Sequence, residues 1–426
     1  MRLFRFECDG LGIYEAVDKF CPRDDTRRSK KPDGSWLPKA GPAHSGAISF
    51  WKPLGLQKYE NSGLKGWHES VVPSVELRVA DTEELDVLYE DQFQVVGVHK
   101  MPTHFRNFIQ RAESKFVDRG EGVFENRIGD HWETQNIAVN VVRLTAGARS
   151  SIPHCESLEE EFVYVLRGTP LVWLDGHLYR LSAGYAVGFP AGTGLCHTFL
   201  NDSQDDALLL VLGERSKKDN QWIYPLNPEL KAEQAHSWWD SWPSRELGPH
   251  PGKFDPSYGD IQKKLHPAIV YAPDLEPRKS FSYTGDTETF SLGFRLSDTL
   301  KMKALGVWHE RLISGKRTSW PHAQSKEEEF ALILKGHPRV WLNGWVKTLS
   351  PGDVVYFKPG AGVAHCLLGG DEESEFLVWG QPDEACPNDK IYYPFHERRN
   401  NECRETNCFW DDFKMMEPVG SHDGRP

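Results

Sequence analysis

Cysteine is scarce: eight in 426 residues, irregularly spaced and with no Cys-x-x-Cys pair. That excludes a disulfide scaffold and the usual zinc-knuckle and dithiol redox motifs. Long hydrophobic runs are lacking too. The longest, Ala207 to Gly213, falls far short of the roughly 20 apolar residues that a membrane helix needs. The amino terminus, MRLFRFECDG, has no apolar core of a secretory signal. Positive charge is outweighed, with 50 Lys and Arg against 62 Asp and Glu and a net charge of −12. Neither nucleic acid nor an anionic membrane is therefore an expected partner. A soluble, cytoplasmic protein whose partners are small molecules or other proteins is expected, long enough at 426 residues for two or three domains.

Internal repetition is what the sequence has in abundance. His154, Glu161 and His197 recur 168 positions later as His322, Glu329 and His365. The same offset relates Arg143 to Arg311, Gly147 to Gly315, Arg149 to Arg317, Pro153 to Pro321, Trp173 to Trp341, Gly194 to Gly362 and Tyr224 to Tyr392. The chain thus holds two copies of one domain, expected at 118–232 and 265–400. Residues 1–115 alternate strand-like and helix-like patterns and read as a small α/β domain of unassigned role, with the polar stretch 23–42 as a loop on it. Residues 233–264 read as a linker whose tryptophans pack across the two copies, and 401–426 as a partly docked, partly loose tail.

Each copy is mainly β. EFVYVLRG reads as a strand, and Asp175-Gly176 and Asn343-Gly344 sit at matching points between short strands. Those pairs suit type I′ hairpin turns, where both central residues need φ > 0. Short strands with regular turn signals indicate an antiparallel sandwich or barrel. If Glu161 faces inward, so do Val163 and Val165, while Phe162, Tyr164 and Leu166 face outward, as do Phe330, Leu332 and Leu334 in the second copy. That outer face is too apolar for water and should pack on the sister copy or, in a homodimer, on a second subunit.

The acidic run before this strand divides by position. Glu159 and Glu160 read as a solvated strand entrance, whereas Glu161 begins the inward-facing series. His154 and Glu156, two apart on an extended segment, share one face, as a divalent-metal site requires. Cys155, Cys196 and Cys366, each beside a motif histidine, then point away from it and read as small buried hydrophobes.

These motifs resemble those of the cupin superfamily. Gly147, six residues, His154, one, Glu156, four, Glu161, six and Gly168 is similar to its first motif. Gly184, five residues, Pro190, Gly192, His197, three and Asn201 is similar to its second, and the other copy matches through Gly315, His322, Gln324, Glu329, Gly336, Gly352, Pro359, Gly362 and His365. The resemblance implies a bicupin: two tandem double-stranded β-helix (jelly-roll) barrels behind the amino-terminal domain. It also implies metal ligands His154, Glu156, Glu161 and His197 in the first barrel, and His322, Gln324, Glu329 and His365 in the second. The family's usual set has a third histidine where this chain has Glu156 and Gln324. The first site then suits one Fe, Mn or Zn ion, and the second, with a weak amide oxygen, binds a metal less tightly.

Glu161 and Glu156 are the expected catalytic residues, able to move a proton beside the metal. Arg149 and Arg317, just upstream of the motif histidines, are candidate ligands for a substrate carboxylate, or else members of internal salt bridges. Three functional readings follow: a metal-dependent enzyme (dioxygenase, isomerase or lyase) acting on a small polar or anionic molecule in the first barrel, a non-catalytic small-molecule-binding bicupin, or a structural one with degenerate metal sites.

Overall fold

The computed structural model describes residues 1–8, 11–13, 16, 48–72, 75–254, 261–276 and 278–426; the stretch 23–42 lies outside them. Each copy folds as a seven-stranded sheet facing a three-stranded one. In the first, the large sheet runs in the order Ile269–Tyr271, Tyr185–Phe189, Glu161–Arg167, Ala207–Glu214, Ile137–Leu144, Val123–Asn126, Val117–Gly120. The small sheet sets Leu171–Leu174 between His177–Arg180 and His197–Leu200. The second copy repeats the plan, with Glu329–Lys335 between Ser374–Gly380 and Asp353–Phe357, and Arg339–Leu342 between Trp345–Thr348 and His365–Leu368.

Local chemistry explains the hairpins. Asp175 and Gly176 take φ of 44° and 87°, and Asn343 and Gly344 take 45° and 85°, the left-handed pair that the type I′ turn needs. Inside the first barrel Val142, Leu144, Val163, Val165, Phe199 and Leu209 form the core. Leu312, Ala331, Ile333, Leu342 and Phe376 fill the second.

The edges of the large sheets are exchanged. Ile269–Tyr271, which lies in the range expected for the second copy, pairs with Tyr185–Phe189 of the first. Ile109–Arg111, ahead of the first copy, pairs with Asp353–Phe357 of the second. Each barrel thus covers a vulnerable edge with chain from outside its own repeat. The apolar outer faces meet as well: Phe162, Tyr164, Leu210 and Leu212 join Phe330, Leu332, Leu377 and Trp379 in one core. The apolar face expected to pack on the sister copy or on a second subunit is thus covered by the sister barrel within one chain.

Glu160 corrects the reading of the acidic run, because it is buried rather than solvated. Its carboxylate crosses the seam and accepts the backbone N–H groups of Lys303, Ala304 and Leu305 at 2.9–3.2 Å. A carboxylate can leave water when several donors replace its hydration.

The linker departs from expectation too. Trp238 and Trp239 pack on the first barrel, against Cys155, Trp173 and Ile223, where they fill the outer side of its small sheet. The tail is docked and does the same for the second barrel, with Trp410 and Phe413 beside Trp341 and Cys366. Trp173 Nε1 donates to the His250 carbonyl at 2.8 Å, and Trp341 Nε1 donates to that of His422 at 2.7 Å. Each barrel thus carries an equivalent strap.

The amino-terminal domain is a six-stranded antiparallel sheet with two eight-residue helices, Pro53–Glu60 and Leu64–Val71. Buried charge joins it to the second barrel: Arg78 and Arg111 both reach Asp353, and the Glu84 carboxylate accepts the Thr348 N–H at 2.9 Å. No helix of the described residues is long and apolar enough to cross a membrane.

Candidate metal centre

Three strand ends build each site. Glu161 opens its strand with its side chain on the interior face, and His197 opens the facing strand of the small sheet. His154 is locked to His197 by reciprocal backbone bonds, His154 N–H to His197 C=O at 3.2 Å and the reverse at 2.9 Å. His154, Glu161 and His197 consequently bring one ligand atom each within 4.8 Å of one another, and His322, Glu329 and His365 do the same in the second barrel.

The outer bonds orient the rings. His154 Nδ1 lies 2.8 Å from the Ile152 carbonyl, and His322 Nδ1 lies 3.0 Å from that of Trp320. A carbonyl takes only a donor, so the proton sits on Nδ1 and the Nε2 lone pair points inward. Phe189 stacks on His197 at 3.5 Å between centroids, and Phe357 on His365 at 3.9 Å. Glu161 Oε1 lies 3.2 Å from His197 Nε2, and Glu329 Oε2 lies 3.1 Å from His365 Nε2.

In the first site the electrostatics match the forms a cation needs. In the second, burial works to lower His322, but the hydrogen bond and charge of Glu329 outweigh it and leave the imidazole raised. Burial, then the neighbouring His197, hold His154 down at about 4, so it is neutral near pH 7. Burial works to raise Glu161, but the hydrogen bond and charge of His197 with the charge of His154 outweigh it and leave the carboxyl below its ordinary range. Glu329 is lowered further by the same contest against His322 and His365. Neutral imidazole and ionised carboxylate are the ligating states. Two nitrogens and one carboxylate fit a divalent cation with coordination positions left open for other ligands.

The fourth expected residue of each site is placed otherwise. Glu156 lines the same cleft, yet its oxygens accept Trp222 Nε1 at 2.8 Å and Asn220 Nδ2 at 3.0 Å. Trp222 stands directly across from it in the two-stranded ladder that joins Cys155–Glu156 to Trp222–Ile223. Burial, then the charges of Glu161 and Glu159, push Glu156 up to about 8. Gln324 gives its amide N–H to Glu327, while its Oε1 is buried without a protein donor. Asn220 and Trp222 were missed in the sequence, although the phrase DNQWIYP holds both; nothing in its spacing from Glu156 announces a contact.

Neither candidate arginine is gathered into a triad. Arg149 Nη1 donates to the Gly252 carbonyl at 2.9 Å and Arg317 Nη1 to that of Gly424 at 2.8 Å. Both anchor a strap, and Arg317 is further held by Glu288 through two bonds of 2.8 Å. Cys155 and Cys196 lie in the apolar cluster behind the first site, and Cys366 occupies the same place behind the second. A small cleft reaches Glu161 and His197 of the first triad, lined also by Glu156, Glu159, Phe189 and Thr193.

The Cupin domain family matches residues 140–213 and 308–380. The chain carries two cupin domains and belongs to that superfamily. No curated protein matches it. Among solved structures, oxalate decarboxylase from Bacillus subtilis is similar at 15% identity and a TM-score of 0.43, over 74% of this chain and 86% of that one. Salicylate 1,2-dioxygenase from Pseudoaminobacter salicylatoxidans with gentisate is similar at 12% identity and a TM-score of 0.46, over 66% and 80%. The Lactobacillus farciminis oxalate decarboxylase formate complex is similar at 16% and 0.42, over 70% and 90%. These likenesses are distant and assign no activity.

Proposed function

We propose that the protein is a divalent-metal-dependent enzyme that acts on a small polar or anionic molecule at the first barrel. The supporting observation is the convergence of His154, Glu161 and His197 on one point, with Glu161 and His197 beside a small cleft. In this reading the two histidines and Glu161 hold the ion, and a metal there polarises substrate oxygens or activates dioxygen. A two-histidine, one-carboxylate set with open positions is the pattern of non-haem Fe(II) oxygenases, which ranks oxygenation above isomerase or lyase chemistry with Mn or Zn.

The chain's own groups have defined tasks. Phe189 and the Val163 and Val165 wall keep water from the closed side of the pocket. Glu156, held by Trp222 and Asn220 beside the cleft, stores a proton on the substrate side. Reconstitution with Fe(II), Mn(II) or Zn(II), followed by oxygen uptake and product analysis on a panel of small hydroxy and oxo acids, tests the reading. Turnover that appears with metal and is lost in Glu161→Gln is the expected result; turnover unchanged after metal removal contradicts it.

A further inference from the structure

Behind the first metal site two thiols meet. His154 and His197 exchange both backbone hydrogen bonds, at 3.2 and 2.9 Å, so the next residues along this antiparallel ladder, Cys155 and Cys196, stand opposite each other as a pair without mutual backbone bonds. In such a pair the backbones come closest, to about 4.5 Å between Cα atoms, which is within the range that a disulfide spans. Side chains alternate in direction along an extended chain, and the two sulfurs therefore lie on the face opposite to the imidazoles. Cys155 Sγ is 2.9 Å from Cys196 Sγ, and both are free thiols. Cys196 is held from its other side, where its N–H donates to Asp175 Oδ1 at 2.9 Å and its carbonyl accepts the Asp175 N–H at 3.0 Å.

The second barrel supplies the comparison. His322 and His365 form the same bridge, at 3.2 and 2.8 Å, and the residues facing each other beside them are Ala323 and Ala364, both buried. Alanine fills this place, so the fold does not need sulfur there. Cys155 and Cys196 are 4% and 0% exposed and share a cluster with Trp238 and Trp239 of the strap. Such burial keeps thiols unreactive toward bulky reagents. An oxidant that reaches them has to be small, and hydrogen peroxide is little larger than water.

We propose that Cys155 and Cys196 are a reversible redox pair, which hydrogen peroxide converts to a disulfide that staples the segment of His154 to the strand of His197. One sulfur attacks a peroxide oxygen, the O–O bond breaks, and a sulfenic acid and one water are formed. The other sulfur then displaces the hydroxyl group, which leaves as a second water while the S–S bond forms. The two thiols lose two electrons and the peroxide gains them. A dithiol reductant restores the pair. Because the bond joins residues 41 apart, it restricts the unfolded chain and stabilises the first barrel. The second barrel, with alanine at both positions, has no such staple. The pair goes beyond the activity proposed for the first barrel and needs no metal to form.

Non-reducing peptide mapping of the folded, full-length protein tests the proposal, with remaining thiols alkylated by iodoacetamide after exposure to hydrogen peroxide. A linked peptide joining Cys155 to Cys196 is expected, absent from the reduced protein and lost again after dithiothreitol. The oxidised protein should melt several degrees above the reduced one. The double variant Cys155→Ala, Cys196→Ala, which installs the second barrel's residues, should melt alike with and without peroxide. Alkylated Cys155 and Cys196 after peroxide, their separate conversion to sulfinic acids, or a linked peptide with no rise in melting overturns the proposal. Should the double variant fail to fold, Cys196→Ala decides: melting unmoved by peroxide upholds the pair, and a rise as large as in the wild type overturns it. His154→Ala, with its metal content measured on the same sample, should still form the link, so failure of the metal reading and failure of this pair are told apart.

Discussion

Glu160 and Glu328 occupy the same place in the two repeats, and each reaches across the seam to accept the backbone of the other barrel. Glu160 takes Lys303, Ala304 and Leu305, while Glu328 takes Gln135, Asn136 and Ile137 at 2.6–3.0 Å and the Tyr356 hydroxyl at 3.1 Å. The next residue in each case is the triad carboxylate, Glu161 or Glu329. The start of each metal-binding strand is thereby fastened to the sister barrel, which links the duplicated fold to the geometry of both sites.

Glu328→Ala leaves three backbone donors at the seam without an acceptor. Each unsatisfied buried donor costs about 1–3 kcal/mol, so a loss of roughly 3 kcal/mol or more is expected from urea denaturation. A change within ~0.5 kcal/mol, as for an ordinary surface substitution, would show that the seam bonds contribute little.

Asp353 is fully buried between Arg78 and Arg111, and burial, which works to raise its carboxyl, is outweighed by Arg78, Arg111 and Lys347, leaving it lowered. Removing one member of a buried ion cluster strands the others at a cost of about 3–5 kcal/mol. Asp353→Ala should therefore lower thermal stability and let a protease release the amino-terminal domain before the barrels are cut. Simultaneous cleavage throughout the chain would argue against this docking role.

His99 and His309 are held down at about 3, by burial first and then by Lys347 and Arg106 around His99, and by Arg278 and Arg311 around His309. A folded-state value below the ordinary 6.5 means that the unfolded chain takes the proton first. Their contribution is complete above pH 6.5 and declines as pH falls toward 3, at about 1.4 kcal/mol per unit for each histidine. His309→Phe should remove one share of that slope while sparing stability at pH 7, because neither ring nitrogen of His309 has a hydrogen-bond partner. An acid limb as steep as in the wild type would contradict the assignment.

Much of this architecture could be read from residues alone, for identifiable reasons. The offset of 168 exposed the duplication, Asp175-Gly176 and Asn343-Gly344 marked hairpins through their backbone demands, and alternation set Glu161 inward and Phe162 toward the sister barrel. What stayed hidden depended on partners distant in sequence. Glu160 looked like a solvated acid because its three donors lie more than 140 residues away. Ile109–Arg111, ahead of the first copy, pairs with the second, and Ile269–Tyr271 of the second pairs with the first, which no local pattern encodes. Glu156 had the right face and spacing, but the Trp222 indole across its ladder and the Asn220 amide nearby donate to its oxygens. Arg149 and Arg317 belong to straps whose equivalence shows only once both are seen against their barrels.

Metal content per chain, measured by elemental analysis on wild type, His154→Ala and His322→Ala, tests the central claim most directly. The account predicts that His154→Ala loses the first barrel's ion and keeps whatever the second barrel holds, with His322→Ala showing the converse. A His154→Ala protein that is folded and retains all of its metal would contradict it.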